Sequence, residues 1–212
     1  MSNDPGRAQR LSMLRSYTWA DVLTLTNAAC GTLSMFACLS HIEGDRDAPM
    51  WAAFALPVLA LVLDYFDGYV ARLDAHRQSR LGADLDSLAD IVSFGVAPAV
   101  LGYTLGLRGL WDVLFLTYFV CCGISRLARF NVTAAALTNA DTGKVRYFEG
   151  TPIPTSILLV IIMAALFYVD RTGSETFAGG HVELIGKGFH PFSVLFFISG
   201  SLMISTIRVP KP

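Results

Sequence analysis

Charge is what this 212-residue chain has least of. Only 16% of its residues are charged while 53% are hydrophobic, and the mean hydropathy is +0.51. Those values exclude an ordinary soluble domain and fit a polytopic membrane protein. The net charge of −1 excludes a strongly basic chain built to bind nucleic acid. Cysteine is also scarce: Cys30, Cys38, Cys121 and Cys122 form no CxxC pair and all lie in apolar runs. Buried, reduced thiols are therefore expected rather than disulfides or a metal site. His41, His76, His181 and His190 are scattered and make no ligand motif. No secretory leader is expected at the start, because residues 1–21 are polar with scattered Arg and the first apolar run begins at Val22. Thr26-Asn27-Ala28-Ala29-Cys30 is a poor lipoprotein cleavage site, since Asn27 stands where an aliphatic residue is wanted. There is no internal repeat and no linker, so one membrane domain over 22–212 is expected behind a cytoplasmic segment over 1–21.

What is there instead is a series of apolar runs. A membrane helix needs about 20 mostly apolar residues, and six segments qualify: 22–41, 50–72, 84–106, 110–134, 152–170 and 190–208. Pro152 and Pro154 suit the first turn of the fifth. Residues 8–19 interleave Leu11, Met13, Leu14, Tyr17 and Trp19 with Arg10 and Arg15, the pattern of a short amphipathic helix lying on the membrane surface. The expected fold is thus an all-α integral membrane protein with six transmembrane helices and an N-terminal interfacial helix. With the N-terminus in the cytoplasm, that side collects Arg7, Arg10, Arg15, Arg72, Arg77, Arg80, Arg126, Arg129, Lys144, Arg146, Arg208 and Lys211. The far side holds only Arg46, Arg108, Arg171 and Lys187. The asymmetry follows the positive-inside rule. The sequon Asn131-Val132-Thr133 then faces the cytoplasm and should carry no glycan.

Against this apolar background, four aspartates stand out at the cytoplasmic ends of the second and third helices. Carboxylates at membrane depth are costly, and where they occur they mark a functional site. Asp64 and Asp67 are three apart, and Asp86 and Asp90 are four apart, so each pair shares one helix face. Two facing pairs make an oxygen-rich cage for hard divalent cations such as Mg²⁺ or Mn²⁺. Gly68 and Ala71 remove side-chain bulk beside it, which lets a ligand such as a nucleotide approach the backbone. Arg72 supplies a planar cationic fork for phosphate. Asp84 points about 200° from Asp86 on an ideal helix and reads as a cap or a solvent-facing acid. Arg126 and Arg129, three apart near the end of the fourth helix, either snorkel to headgroups or bind an anionic substrate group.

The full pattern, Asp64-x2-Asp67-Gly68-x2-Ala71-Arg72-x9-Gly82-x3-Asp86-x3-Asp90, resembles the signature of the CDP-alcohol phosphotransferases, membrane enzymes of phospholipid synthesis. Three further stretches are similar to the membrane-embedded phosphatidylserine synthases of that family: Leu85–Ala99, Arg126–Val132 and Tyr147–Pro154. The likeness covers about residues 20–170. It implies a homodimeric enzyme that transfers a phosphatidyl group from CDP-diacylglycerol to L-serine and releases CMP. It implies two divalent metals, Mg²⁺ or Mn²⁺, held by Asp64, Asp67, Asp86 and Asp90, with Asp90 also the general base. Asp64, Gly68, Ala71, Arg72 and Gly82 would line the CDP site. For serine, the candidates are Arg126, Arg129, Lys144 and Arg146 on the carboxylate and Glu149 on the ammonium. The active site would face the cytoplasm, at the endoplasmic reticulum of a eukaryote or the inner membrane of a prokaryote. Two variants of the same chemistry stay open, another acceptor (glycerol 3-phosphate or an inositol derivative) and an archaeal ether-lipid donor. A cation-coupled transporter would show repeats or broken helices, and neither is visible.

Overall fold

The computed structural model describes residues 19–44, 47–73, 80–138, 147–173, 180, 182–184, 187–205 and 208–210. The expected interfacial helix over 8–19 lies outside the described residues except for Trp19. Helix α1 spans Trp19–Gly44 and α2 spans Asp47–Leu73. Next comes one unbroken rod made of α3 (Arg80–Asp90), a six-residue π-helical segment (Ile91–Val96) and α4 (Ala97–Leu105). Helix α5 spans Leu110–Thr138. A 3₁₀ turn over Ile153–Ser156 leads into α6 (Ile157–Tyr168), and α7 is Ser193–Ile204.

These residues form helices because backbone groups in hydrocarbon must be satisfied within their own segment. The hydroxyls of an apolar helix obey the same rule. In α1, Thr26 donates to the Val22 carbonyl at 2.8 Å and Thr32 to that of Ala28 at 2.9 Å. The π segment ends just before Pro98, which cannot donate to the preceding turn, so the helical ladder is already weakened there.

Among the described residues, four helices are long and apolar enough to cross a membrane: Trp19–Gly44, Asp47–Tyr69, Gly82–Leu105 and Leu110–Val132. Ile153–Tyr168 and Ser193–Ile204 are apolar but shorter. The sixth expected span, 190–208, starts late because His190 is held outside the helix, and ends early because Ser205 is extended. The outside of the bundle is apolar: Phe36, Leu39, Leu59, Val62, Ile124 and Ile161 are all exposed, as suits a lipid-facing surface. The interior is close-packed around Phe94, Leu101, Phe119, Ile153, Met163 and Phe196.

Small residues set the closest approaches. A Cβ added at Gly31 of α1 would lie 2.6 Å from Ser93 Oγ and 2.7 Å from Ser93 Cα, so α1 and the π segment nearly touch backbone to backbone. Helix α7 lies on α5, where Tyr118 stacks on Phe197 at 4.9 Å between ring centroids and Phe119 meets Phe196 edge-on at 5.3 Å.

The chain is mostly helical, as expected, with short strands outside the helices. Among the described residues, four three-residue strands form two antiparallel pairs: β1 (Tyr147–Glu149) with β4 (Arg208–Pro210), and β2 (Val182–Leu184) with β3 (Lys187–Phe189). Three lie in connections between the apolar helices and β4 follows the last of them, where pairing satisfies backbone that no helix takes up. At the end opposite the aspartates, Asp112 at the start of α5 is fully buried and accepts three bonds: from Gly109 N at 3.0 Å, from His190 N at 2.8 Å and, at 2.6 Å, from His190 Nδ1. That contact fastens the chain just after β3 to the head of α5.

Candidate active site

The six residues over 74–79 join α2 to α3, so the C-terminal end of α2 and the N-terminal end of α3 lie on the same side of the bundle. Helical periodicity then turns both aspartate pairs toward each other. Asp64, Asp67 and Asp86 each offer a carboxylate oxygen, and these oxygens all lie within 4.8 Å of one another. Asp67 is 5% exposed, while Asp64 and Asp86 are half-buried. Like charges so close and so poorly hydrated repel strongly, and a bound cation removes that cost. The donor set, three hard oxygens, can hold a metal ion.

Asp90 stands apart from that trio. It lies one turn deeper, is 8% exposed, and is within electrostatic reach of Asp64, Asp86, Asp67 and Arg126. Its Oδ1, like Asp86 Oδ1, is buried with no hydrogen-bond partner among the described residues. Arg126 of α5 reaches the same region, and its Nε is likewise buried without a partner. So α5 brings one cation to the deep end of the cluster. Arg129, three residues on, is exposed.

The remaining expected site residues are placed less closely. Gly68 and Gly82 sit half-buried on the facing ends of α2 and α3. Ala71 and Arg72 occupy the last turn of α2. Glu149 lies on β1, in register with Arg208 of β4. Lys144 and Arg146 fall outside the described residues.

Three groups escaped the sequence reading. Thr24 of α1 places its Oγ1 2.8 Å from Asp67 Oδ2 and 3.0 Å from the Ala20 carbonyl. A hydroxyl has one proton, and the shorter, charge-assisted contact is the one to Asp67. Asn27, one turn deeper, is fully buried, and its backbone carbonyl accepts a 2.8 Å bond from Ser93 Oγ. Helix α1 is therefore a third wall of the site. A signal was available: Asp21, Thr24 and Asn27 recur every three residues in a mostly apolar run, and all three are buried. The third group is a clamp between α3 and α5. Ser87 donates to Asn131 Oδ1 at 3.0 Å, and Asn131 Nδ2 donates to Asp84 Oδ1 at 3.3 Å. Asp84 is solvent-facing, as expected, and Asn131 of the sequon is engaged between helices.

Comparison with known proteins decides the family. The model of CDP-alcohol phosphatidyltransferases matches residues 17–199. The chain belongs to that family. A CDP-diacylglycerol–serine O-phosphatidyltransferase of Saccharomyces cerevisiae is 42% identical over 207 residues, covering 95% of this chain and 73% of the relative. An archaetidylserine synthase of Methanothermobacter thermautotrophicus is 34% identical over 196 residues, 90% of this chain and 69% of the relative. A CDP-diacylglycerol–serine O-phosphatidyltransferase of Helicobacter pylori is 33% identical over 200 residues, 92% of this chain and 73% of the relative. The family match runs beyond the 20–170 likeness of the motifs, into α7. Serine is named in all three of these relatives, although the lipids they are named for differ.

Proposed function

We propose that this chain transfers the phosphatidyl group of CDP-diacylglycerol to L-serine, releasing CMP. The carrying observation is the convergence of Asp64, Asp67 and Asp86 at one end of the bundle, in a family member whose relatives bear serine transferase names. The serine hydroxyl attacks the phosphorus that bears the diacylglycerol. A new P–O bond forms, the bond from that phosphorus to the CMP oxygen breaks, and the hydroxyl proton passes to Asp90. A serine hydroxyl is a weak nucleophile, so a carboxylate in reach is required. Asp90 suits the task because it stands outside the trio and keeps an unpartnered oxygen.

The trio of Asp64, Asp67 and Asp86 can hold a metal ion, and we assign two divalent cations, Mg²⁺ or Mn²⁺, to Asp64, Asp67, Asp86 and Asp90. When bound, they neutralise the pyrophosphate and stabilise the departing CMP. Gly68, Ala71, Arg72 and Gly82 shape the nucleotide side of the site. Arg126 and Arg129 face the serine carboxylate, with Lys144 and Arg146 in the following connection, and Glu149 takes the ammonium. The homologue named for archaetidylserine supports a second donor class, ether lipid, with the acceptor unchanged.

We further propose six spans with the site facing the cytoplasm. The two shorter apolar helices would cross by local thinning of the bilayer and by their flanking residues. Family likeness supports a homodimer. The decisive assay is CMP release from CDP-diacylglycerol by purified protein with a panel of alcohols. L-serine should be the fastest acceptor, EDTA should abolish turnover, and Mn²⁺ or Mg²⁺ should restore it. Faster release with glycerol 3-phosphate or an inositol acceptor overturns the serine assignment. Cysteine labelling from either side checks the topology: residues 73–83 and 135–150 should react from the cytoplasm and 171–189 from the far side.

A further inference from the structure

Buried polar atoms nearly always find partners, and each orphan costs about 1–3 kcal/mol. Six buried side-chain polar atoms lack a hydrogen-bond partner among the described residues, and five of them belong to Asn27, Asp86, Asp90 and Arg126. The sixth is Ser156 Oγ. Orphans grouped on residues of one site point to a ligand that completes them.

Asn27 belongs neither to the carboxylate trio nor to the cations of α5. Its side chain is fully buried, and both its Oδ1 and its Nδ2 are unpartnered. Two contacts fix its level. Thr24, one turn toward the cytoplasm, reaches Asp67 at 2.8 Å. Ser93, one turn past Asp90, donates to the Asn27 carbonyl at 2.8 Å. The amide thus sits at the depth of Asp90, on the α1 side of the carboxylate cluster. Gly31, one turn further along α1, lets the π segment press against it, so Asn27 has little room to turn away.

The orphans are of both kinds. Asn27 Nδ2 and Arg126 Nε are donors, while Asn27 Oδ1, Asp86 Oδ1 and Asp90 Oδ1 are acceptors. Their complement is a small ligand carrying an anionic and a cationic group together, with a hydroxyl for Asp90. An amide offers one donor and one acceptor side by side, whichever way round its O and N are assigned. We propose that Asn27 is an acceptor-binding residue, whose amide holds the zwitterionic head of the serine substrate opposite Arg126 and sets its hydroxyl toward Asp90. This rests on serine transfer being the reaction.

Asn27→Leu keeps the branching of the side chain, adds some bulk and removes the amide. In the CMP-release assay, the KM for L-serine should rise about ten-fold or more, because the bound zwitterion loses two hydrogen bonds. The KM for CDP-diacylglycerol should stay within about two-fold, since the donor's contacts are elsewhere. The preference for L-serine over ethanolamine, which lacks the carboxylate, should narrow in the variant; a purely packing role leaves that ratio unmoved. An unchanged KM for L-serine overturns the proposal, as does a parallel loss of affinity for both substrates. Where Asn27→Leu yields no folded protein, Asn27→Ala is read by the same constants and the same ratio. Failure of the parent reading looks different, because the unmodified protein itself would then prefer an acceptor other than L-serine.

Discussion

The contact between Thr24 and Asp67 makes α1 part of the proposed metal site, and Thr24→Val isolates it. Valine has nearly the shape of threonine, so packing against α2 changes little. What disappears is one charge-assisted hydrogen bond of 2.8 Å to a carboxylate that is only 5% exposed. Such a bond contributes about 1.5–3 kcal/mol. Asp67 without it is less well oriented and less well screened from Asp64 and Asp86. Outer-sphere partners of metal ligands typically contribute 10- to 100-fold in metal affinity, which matches that energy. CMP release measured against Mn²⁺ concentration should therefore show an activation constant raised about 10- to 100-fold, with kcat largely recovered at saturating metal. Thr24→Ser keeps the donor and should restore most of the loss. An unchanged activation constant refutes the reasoning, and so does a loss of activity that no metal concentration repairs.

Three further outcomes follow from the same structure. Asp67→Asn and Asp86→Asn should each remove nearly all turnover, whereas Asp90→Asn should lower kcat strongly while leaving CDP-diacylglycerol binding in place; near-normal turnover of the last variant would move the base elsewhere. Gly31→Leu drives a side chain into Ser93 across a gap that already excludes a methyl group, and overpacking of this kind costs about 1–3 kcal/mol, read as a lower melting temperature in detergent. Asp112→Ala strands the three donors of Gly109 and His190 at about 1–3 kcal/mol for each orphaned group; it should lower the melting temperature while leaving the KM for both substrates unchanged, because it acts at the opposite end of the bundle.

Much of the site was legible because its information is local. Spacings of three and four residues put each aspartate pair on one helix face, whatever surrounds the helix. The join over 74–79 forces the two ends together, and the trio of Asp64, Asp67 and Asp86 indeed converges. The positions of the four long helices were equally legible, since hydrocarbon admits few other structures. Arg126 could be placed only in part: the sequence left it between snorkelling and ligand binding, and its buried Nε beside Asp90 favours the second. Asp84 was correctly read as solvent-facing, but its bond to Asn131 spans 47 residues and no helix-face argument reaches that far.

Composition and spacing alone determined that the chain belongs in a membrane, roughly where its apolar helices lie, and that its acids lie at one side in two pairs. These are consequences of the bilayer as solvent and of the helical period, and they need no partner segment. Which segment closes the site was decided only by the fold. Nothing local in α1 says that Thr24 meets Asp67 or that Asn27 faces the level of Asp90; that follows from Gly31 meeting Ser93 and the π segment lying against α1. The short strands and the Asp112–His190 tie are of the same kind, since each joins residues distant in the chain. Contacts of that sort depend on close packing between helices, and packing is settled by shape in three dimensions.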